Sequence, residues 1–174
     1  MPERDIDLEV MFDKTLSLWE KGLLLLMTSW KLRAGVFNTE EVTWYALTSK
    51  ESVSHHMYTL TRPKFSYGKL LQSDKYGNSF FYFVSTRDPK FPFVKENLKE
   101  YTLEEIGLLW YLYAKLQLKW EVWDFNVKTI QEKNRDTLKE IGIALERLEH
   151  KGILESYDWG KYTNYKIKDM SIFK

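Results

Sequence analysis

The run Thr137-Leu138-Lys139-Glu140-Ile141-Gly142-Ile143-Ala144-Leu145-Glu146-Arg147-Leu148-Glu149-His150-Lys151-Gly152-Ile153-Leu154 carries most of the information about this 174-residue chain. Leu138, Ile141, Leu145 and Leu148 recur at three- and four-residue steps, the period of a helix with one buried stripe. Thr137 and Glu140 have the spacing of a capping box. Gly152 stands where a helix C-cap belongs, and Ile153 to Ile167 then reads as a β-hairpin turning at Asp158-Trp159-Gly160-Lys161. Upstream, Asn126 to Lys133 forms a short helix. Before it a longer helix opens at the cap Thr102, with Glu104 and Glu105 in its first turn and Ile106, Leu109, Trp110, Tyr113 and Leu116 along one face. The order is helix, short helix, helix, hairpin.

The same order occurs earlier in the chain. Leu16, Trp19, Leu23, Leu26, Met27 and Trp30 predict a first helix over Thr15 to Leu32, widened by Leu24 and Leu25 and closed by Gly35. Asn38 offers the next cap, with Glu40 and Glu41 behind it, and Val42, Tyr45 and Ala46 mark a short helix. Thr48 and Glu51 repeat the capping box, Val53, Met57 and Leu60 the buried stripe, and Pro63 ends the helix. Two β-rich runs follow, Lys69 to Ser73 and Ser79 to Ser85, with a turn over Asp74 to Asn78. Leu71, Ser73, Gly77 and Tyr82 match Leu154, Ser156, Gly160 and Tyr165 at an offset of 83. Phe37-Asn38, Val53, Met57 and Leu60 match Phe125-Asn126, Ile141, Leu145 and Leu148 at 88, and Gly22-Leu23-Leu24 matches Gly107-Leu108-Leu109 at 85. A repeated unit is the reading. It divides the chain into an acidic arm (1–14), a first unit (15–85), a linker with Pro89 and Pro92 (86–100), a second unit (101–168) and a tail (169–174). The expected fold class is α+β, mainly α, with two tandem units forming an internal pseudo-dimer.

Three helices followed by a hairpin, with a Leu-x-x-Leu stripe (Leu145, Leu148) running into Lys151-Gly152-Ile153-Leu154, resembles the winged-helix superfamily in both halves. In the first half Pro63 to Tyr67 dilutes the Lys-Gly step. The resemblance implies double-stranded DNA as partner, with each third helix turned towards the major groove. The faces opposite the buried stripes then supply the candidate contacts. These are Lys50, Ser54, His55, Tyr58 and Arg62 in the first unit, and Arg135, Lys139, Arg147 and His150 in the second. Lys75 and Asn78 at one wing, and Lys161, Tyr162 and Asn164 at the other, suit backbone contacts. The units differ at corresponding positions (Lys50 against Leu138, His55 against Ile143), so an imperfect rather than a palindromic site is expected.

The two-headed layout and the Cys-free, Lys/Asn/Tyr-rich composition are similar to small DNA-binding proteins of Gram-positive mobile elements, such as the TraN-type accessory proteins of conjugative type IV secretion. That likeness implies binding near a transfer origin or promoter, with other transfer or replication proteins as further partners. It also implies a chain that acts as a monomer because it is already a pseudo-dimer.

Composition bounds the alternatives. The absence of cysteine excludes disulfides and thiolate–metal sites and fits a cytoplasmic protein. Apolar runs such as Leu23 to Met27 are too short to span a bilayer, and no signal peptide is expected. His55 and His56, adjacent on a helix, point about 100° apart and cannot share a metal. No phosphate loop, metal cluster or nucleophile–base order is present, so a non-enzymatic protein without cofactors is expected. The aromatic residues fall at core spacing rather than as a stacking platform for single strands. A formal charge of +1 is modest for a DNA binder. It divides into −4 over residues 1–13, +4 over 14–84 and +1 over the rest. That balance, with Glu140, Glu146 and Glu149 on the second third helix, keeps two rivals open: a protein-interaction scaffold, or a plasmid replication or partition regulator.

Overall fold

The computed structural model describes residues 11–29, 36–38, 56, 59–60, 71–76, 79–84, 100–118, 125–169 and 171. Over these the architecture is α+β and mainly helical. Helix α1 spans Leu18–Ser29 and α2 spans Leu103–Leu118. Helix α3 (Val127–Gln131) and helix α4 (Leu138–His150) follow. Strands β1 (Val36–Asn38), β2 (Leu71–Tyr76) and β3 (Ser79–Val84) form an antiparallel sheet in the order β1-β3-β2, and β4 (Leu154–Trp159) pairs with β5 (Tyr162–Ile167).

The start of α1 differs from the sequence reading. Thr15 bonds back to the Asp13 carboxylate through its N–H and its hydroxyl, and the helix opens after Ser17. Ser17 and Glu20 form the capping box there: the Ser17 N–H donates to Glu20 Oε1 and the Glu20 N–H to Ser17 Oγ. The equivalent residues 85 positions on are Thr102 and Glu105, where the Glu105 N–H donates to Thr102 Oγ1. The acidic arm expected over 1–14 does not extend that far as an arm. Met11 is fully buried in the core, and its carbonyl is held by Lys21.

Helices α1 and α2 pack on each other more extensively than any other pair of described elements. Both are apolar on several sides, so Leu18, Leu23 and Leu24 meet a core that includes Ile106, Leu109, Trp110 and Tyr111. Two glycines permit the contact. A Cβ on Gly22 would fall on the Leu103 carbonyl oxygen, and one on Gly107 on the Leu18 carbonyl oxygen. The two contacts are reciprocal. Adding 85 to Gly22 and Leu18 gives Gly107 and Leu103, so the two contacts correspond at the offset of 85 seen in the sequence.

The strands repeat the correspondence. Leu71↔Val84, Ser73↔Tyr82 and Tyr76↔Ser79 in the first hairpin become Leu154↔Ile167, Ser156↔Tyr165 and Trp159↔Tyr162 in the second, each shifted by 83. Strand β1 places Phe37 opposite Tyr82, and a lone bridge places Phe125 opposite Tyr165. The three-residue β1 carries no alternation long enough to have been read from sequence. The turn expected over Asp74 to Asn78 is shorter, because the ladder continues to Tyr76.

In the second half the local chemistry matches the sequence closely. Asn126 caps α3, accepting from the Lys128 and Thr129 N–H groups, and Thr137 and Glu140 form the capping box of α4. Gly152, at φ 78°, closes α4: its N–H donates to the Glu149 carbonyl and the Ile153 N–H to the Leu148 carbonyl. That pair is a Schellman motif, which needs a left-handed residue at this position. The buried side of α4 is Ile141, Ala144, Leu145 and Leu148. Leu138, expected in this stripe, is instead 38% exposed; it is the first residue of α4, and the buried run begins one turn on at Ile141.

Candidate nucleic-acid interface

The outward face of α4 follows from its buried one. Opposite Ile141, Ala144, Leu145 and Leu148 lie Lys139, Ile143, Glu146 and His150 at four-, three- and four-residue steps, with Arg147 and Gly142 beside them. Lys139, Glu146, Arg147 and His150 are exposed, and Ile143 is 41% exposed. The side chains of Lys139, Arg147 and His150 make no hydrogen bond or ion pair with any described residue. An open cleft of about 650 Å³ borders this face, lined by Thr102 and Glu105 of the α2 start and by Ile143, Glu146, Arg147, His150 and Lys151.

Several acids near this face are engaged internally. Glu140 belongs to the capping box, Glu149 accepts from the Ser156 hydroxyl, and Glu155 pairs with Lys166 on the hairpin surface. Lys151 does not face outward as a free cation. Its Nζ donates to the Glu100 carbonyl and to buried Glu105, and it sits 4.6 Å from the Tyr101 ring centroid, tying the start of α2 to the end of α4. At the hairpin tip Lys161 is exposed and lies 5.8 Å from the ring of half-buried Tyr162.

Two of the expected contact residues have structural employment. Asn164 was expected at the wing tip; it is 3% exposed instead. Its Oδ1 accepts from Asn126 Nδ2 and its Nδ2 donates to the Tyr162 carbonyl, so it fastens β5 to the cap of α3 and faces inward. Arg135 is part-exposed, but its Nη2 donates to Glu20 Oε1 at 2.9 Å and its backbone N–H to the Leu16 carbonyl. It joins the α3–α4 turn to the start of α1. Lys75 lies in β2, opposite Phe80. Lys50, Ser54, His55, Tyr58, Arg62 and Asn78 lie outside the described residues.

Sequence reasoning missed the polar seam between α1 and the α3–α4 turn. The Leu18 N–H donates to Asp136 Oδ2 at 2.8 Å. Fully buried Lys21 directs its Nζ to the carbonyls of Met11 and Lys133, at 2.6 and 2.7 Å, and to Asn134 Oδ1. Fully buried Glu20 also meets His56 Nδ1 at 3.2 Å, while the His56 ring stacks on Trp19. The one available signal was a Glu-Lys pair inside a helix apolar on several sides, where some charge must be buried.

This seam has a pH signature. Burial pushes the Glu20 carboxyl up, but the His56 hydrogen bond, the Ser17 N–H and the Arg135 charge hold it below the usual value of 4.5. A carboxyl depressed by folding adds stability above its unfolded pKa, and the contribution is lost as pH falls through the folded one. The difference in unfolding midpoint between wild type and Glu20→Gln should therefore shrink as pH drops below about 4.5, measured by calorimetry from pH 7 to 3. A constant difference would contradict the ionised seam. Asp136 is raised, chiefly by burial, and titrates in both proteins, so it leaves the difference intact.

Among the described residues no helix is long and apolar enough to cross a membrane, and no group of three or more His, Asp or Glu residues is placed to hold a metal. The chain matches no family model, no curated protein and no solved structure.

Proposed function

We propose that the chain is a non-enzymatic double-stranded DNA-binding protein. It consists of two tandem winged helix-turn-helix units that form a pseudo-dimer about the Gly22–Gly107 crossing. Each unit lays its third helix in a major groove and sets its hairpin against the phosphate backbone. The carrying observation is the outward stripe of α4, where Lys139, Arg147 and His150 are exposed and unpartnered; Lys161 is exposed at the hairpin tip. The reciprocal helix crossing supports a second head at a fixed position, which raises its effective concentration once the first is bound. The resemblance to conjugative accessory proteins suggests a role at a transfer origin or promoter.

The salt dependence of duplex binding tests this reading. With about five phosphates neutralised, log affinity should fall against log salt with a slope of about −4 to −5. Arg147→Ala should weaken binding several-fold and reduce the slope by about 1, with an unchanged unfolding midpoint. Exposed Leu138 and Ile143 favour a second reading, a protein-interaction scaffold, for which the slope would lie near zero.

A further inference from the structure

Among the described residues Gly142 has no evident structural use. A Cβ there would meet only Val127 Cγ1 among them, at 3.8 Å, an ordinary van der Waals contact. Its backbone is not in the left-handed region, unlike that of Gly152 and Gly160, and no described helix crosses close over it, unlike Gly22 and Gly107. Glycine nevertheless weakens a helix interior relative to alanine. The next residue is Ile143, a large apolar side chain 41% exposed on the outward stripe, with Lys139 and Arg147 one turn away on either side. An apolar probe and two flanking cations thus share one helix face, with Gly142 at its edge about 100° round the helix from Ile143.

Resting on the DNA reading above, we propose that Gly142 and Ile143 form the point of closest approach of α4 to the major groove, where Ile143 reads the C5 methyl of a thymine. The thymine methyl is the apolar group among the base edges exposed there, and isoleucine can neither donate nor accept a hydrogen bond. The missing Cβ at Gly142 lets the helix backbone sink towards the bases. Lys139 and Arg147 then reach phosphates on the two sides of the contact. Glu146, three residues beyond Ile143, would be repelled by phosphates, and the base-edge group that suits its carboxylate is the cytosine amino group. The helix thus favours a half-site with thymine, and beside it cytosine, at fixed positions in the major groove. At the offset of 88 the first half carries Ser54 and His55 instead, so the two half-sites differ in sequence.

The test uses the full chain and a duplex enriched by it from a random pool. Replacing single thymines by deoxyuridine removes only the methyl. One or two positions should lose about 3–10-fold in affinity, and Ile143→Ala should abolish that discrimination. Gly142→Ala should raise the unfolding midpoint by about 2–4 °C while weakening binding about tenfold, a combination that a purely structural glycine would not produce. Tight, salt-dependent binding that is indifferent to every deoxyuridine, or a Gly142→Ala protein that binds like wild type, overturns the thymine contact and leaves the DNA reading standing. Failure to enrich any duplex overturns both.

Discussion

Gly22→Ala lowers the unfolding midpoint by about 10 °C, corresponding to a loss of about 3 kcal/mol or more. Helix propensity alone points the other way, since alanine in place of glycine should stabilise a helix by up to about 1 kcal/mol. Geometry wins because the added Cβ would fall on the Leu103 carbonyl oxygen, with Gly107 N only 3.1 Å away. Backbone atoms cannot swing aside as a side chain can, so α1 and α2 must separate and the surrounding Leu18, Leu23, Ile106 and Trp110 lose contact together. Gly107→Ala should cost a similar amount by the reciprocal clash with Leu18. The double variant should cost clearly less than the sum, because one separation of the helices relieves both clashes. A stabilised Gly22→Ala protein in thermal denaturation would refute the close crossing.

Lys21→Met costs about 2–5 kcal/mol even though methionine nearly fills the vacated volume. The loss comes from three oxygens on three segments, the Met11 and Lys133 carbonyls and Asn134 Oδ1, all left without their donor in a dry site. Burial draws the Lys21 ammonium down to about 7, against the opposing pull of Asp13, Asp136 and Glu20. The unfolded chain keeps that proton up to about pH 10.4. Between about pH 7 and 10 the unfolded state therefore binds more protons, and the Lys21 contribution to stability rises with pH across that window. The neutral amine still donates two hydrogens to the cradle. The gap in stability between wild type and Lys21→Met should widen from pH 7 to 9.5 in denaturant titrations; a gap that closes instead would show that the cradle requires the cation.

The signals legible in the second half are local ones. The Thr137–Glu140 box, the Gly152 C-cap and the hairpin over Ile153 to Ile167 all depend on neighbours within a few residues, and each is present. The offsets of 83 and 85 were equally legible, and they recur as hydrogen-bond register and as the helix crossing. Long-range chemistry was hidden. Nothing near Asp136 in the chain says that it caps Leu18, or that Arg135 answers Glu20. Leu138 also misled the apolar count, because a helix buried on one side tolerates exposed aliphatic residues that periodicity alone assigns inward. Asn164 showed the converse: a polar residue in a hairpin can be consumed by the cap of a neighbouring helix.

The seam spans long stretches of chain, 118 residues from Leu18 to Asp136 and 113 from Lys21 to Asn134. During synthesis the ribosome releases the first helix long before its electrostatic counterparts exist. Glu20, Lys21 and the open end of α1 must wait, solvated, until the far segment emerges. Cooperative folding of the whole polypeptide, with the slow closure expected of such distant contacts, is the kinetic consequence. It also gives evolution little room for retreat. Because residues 133–136 supply the polar partners of α1, neither segment can be removed or exchanged without leaving buried polar groups unpaired.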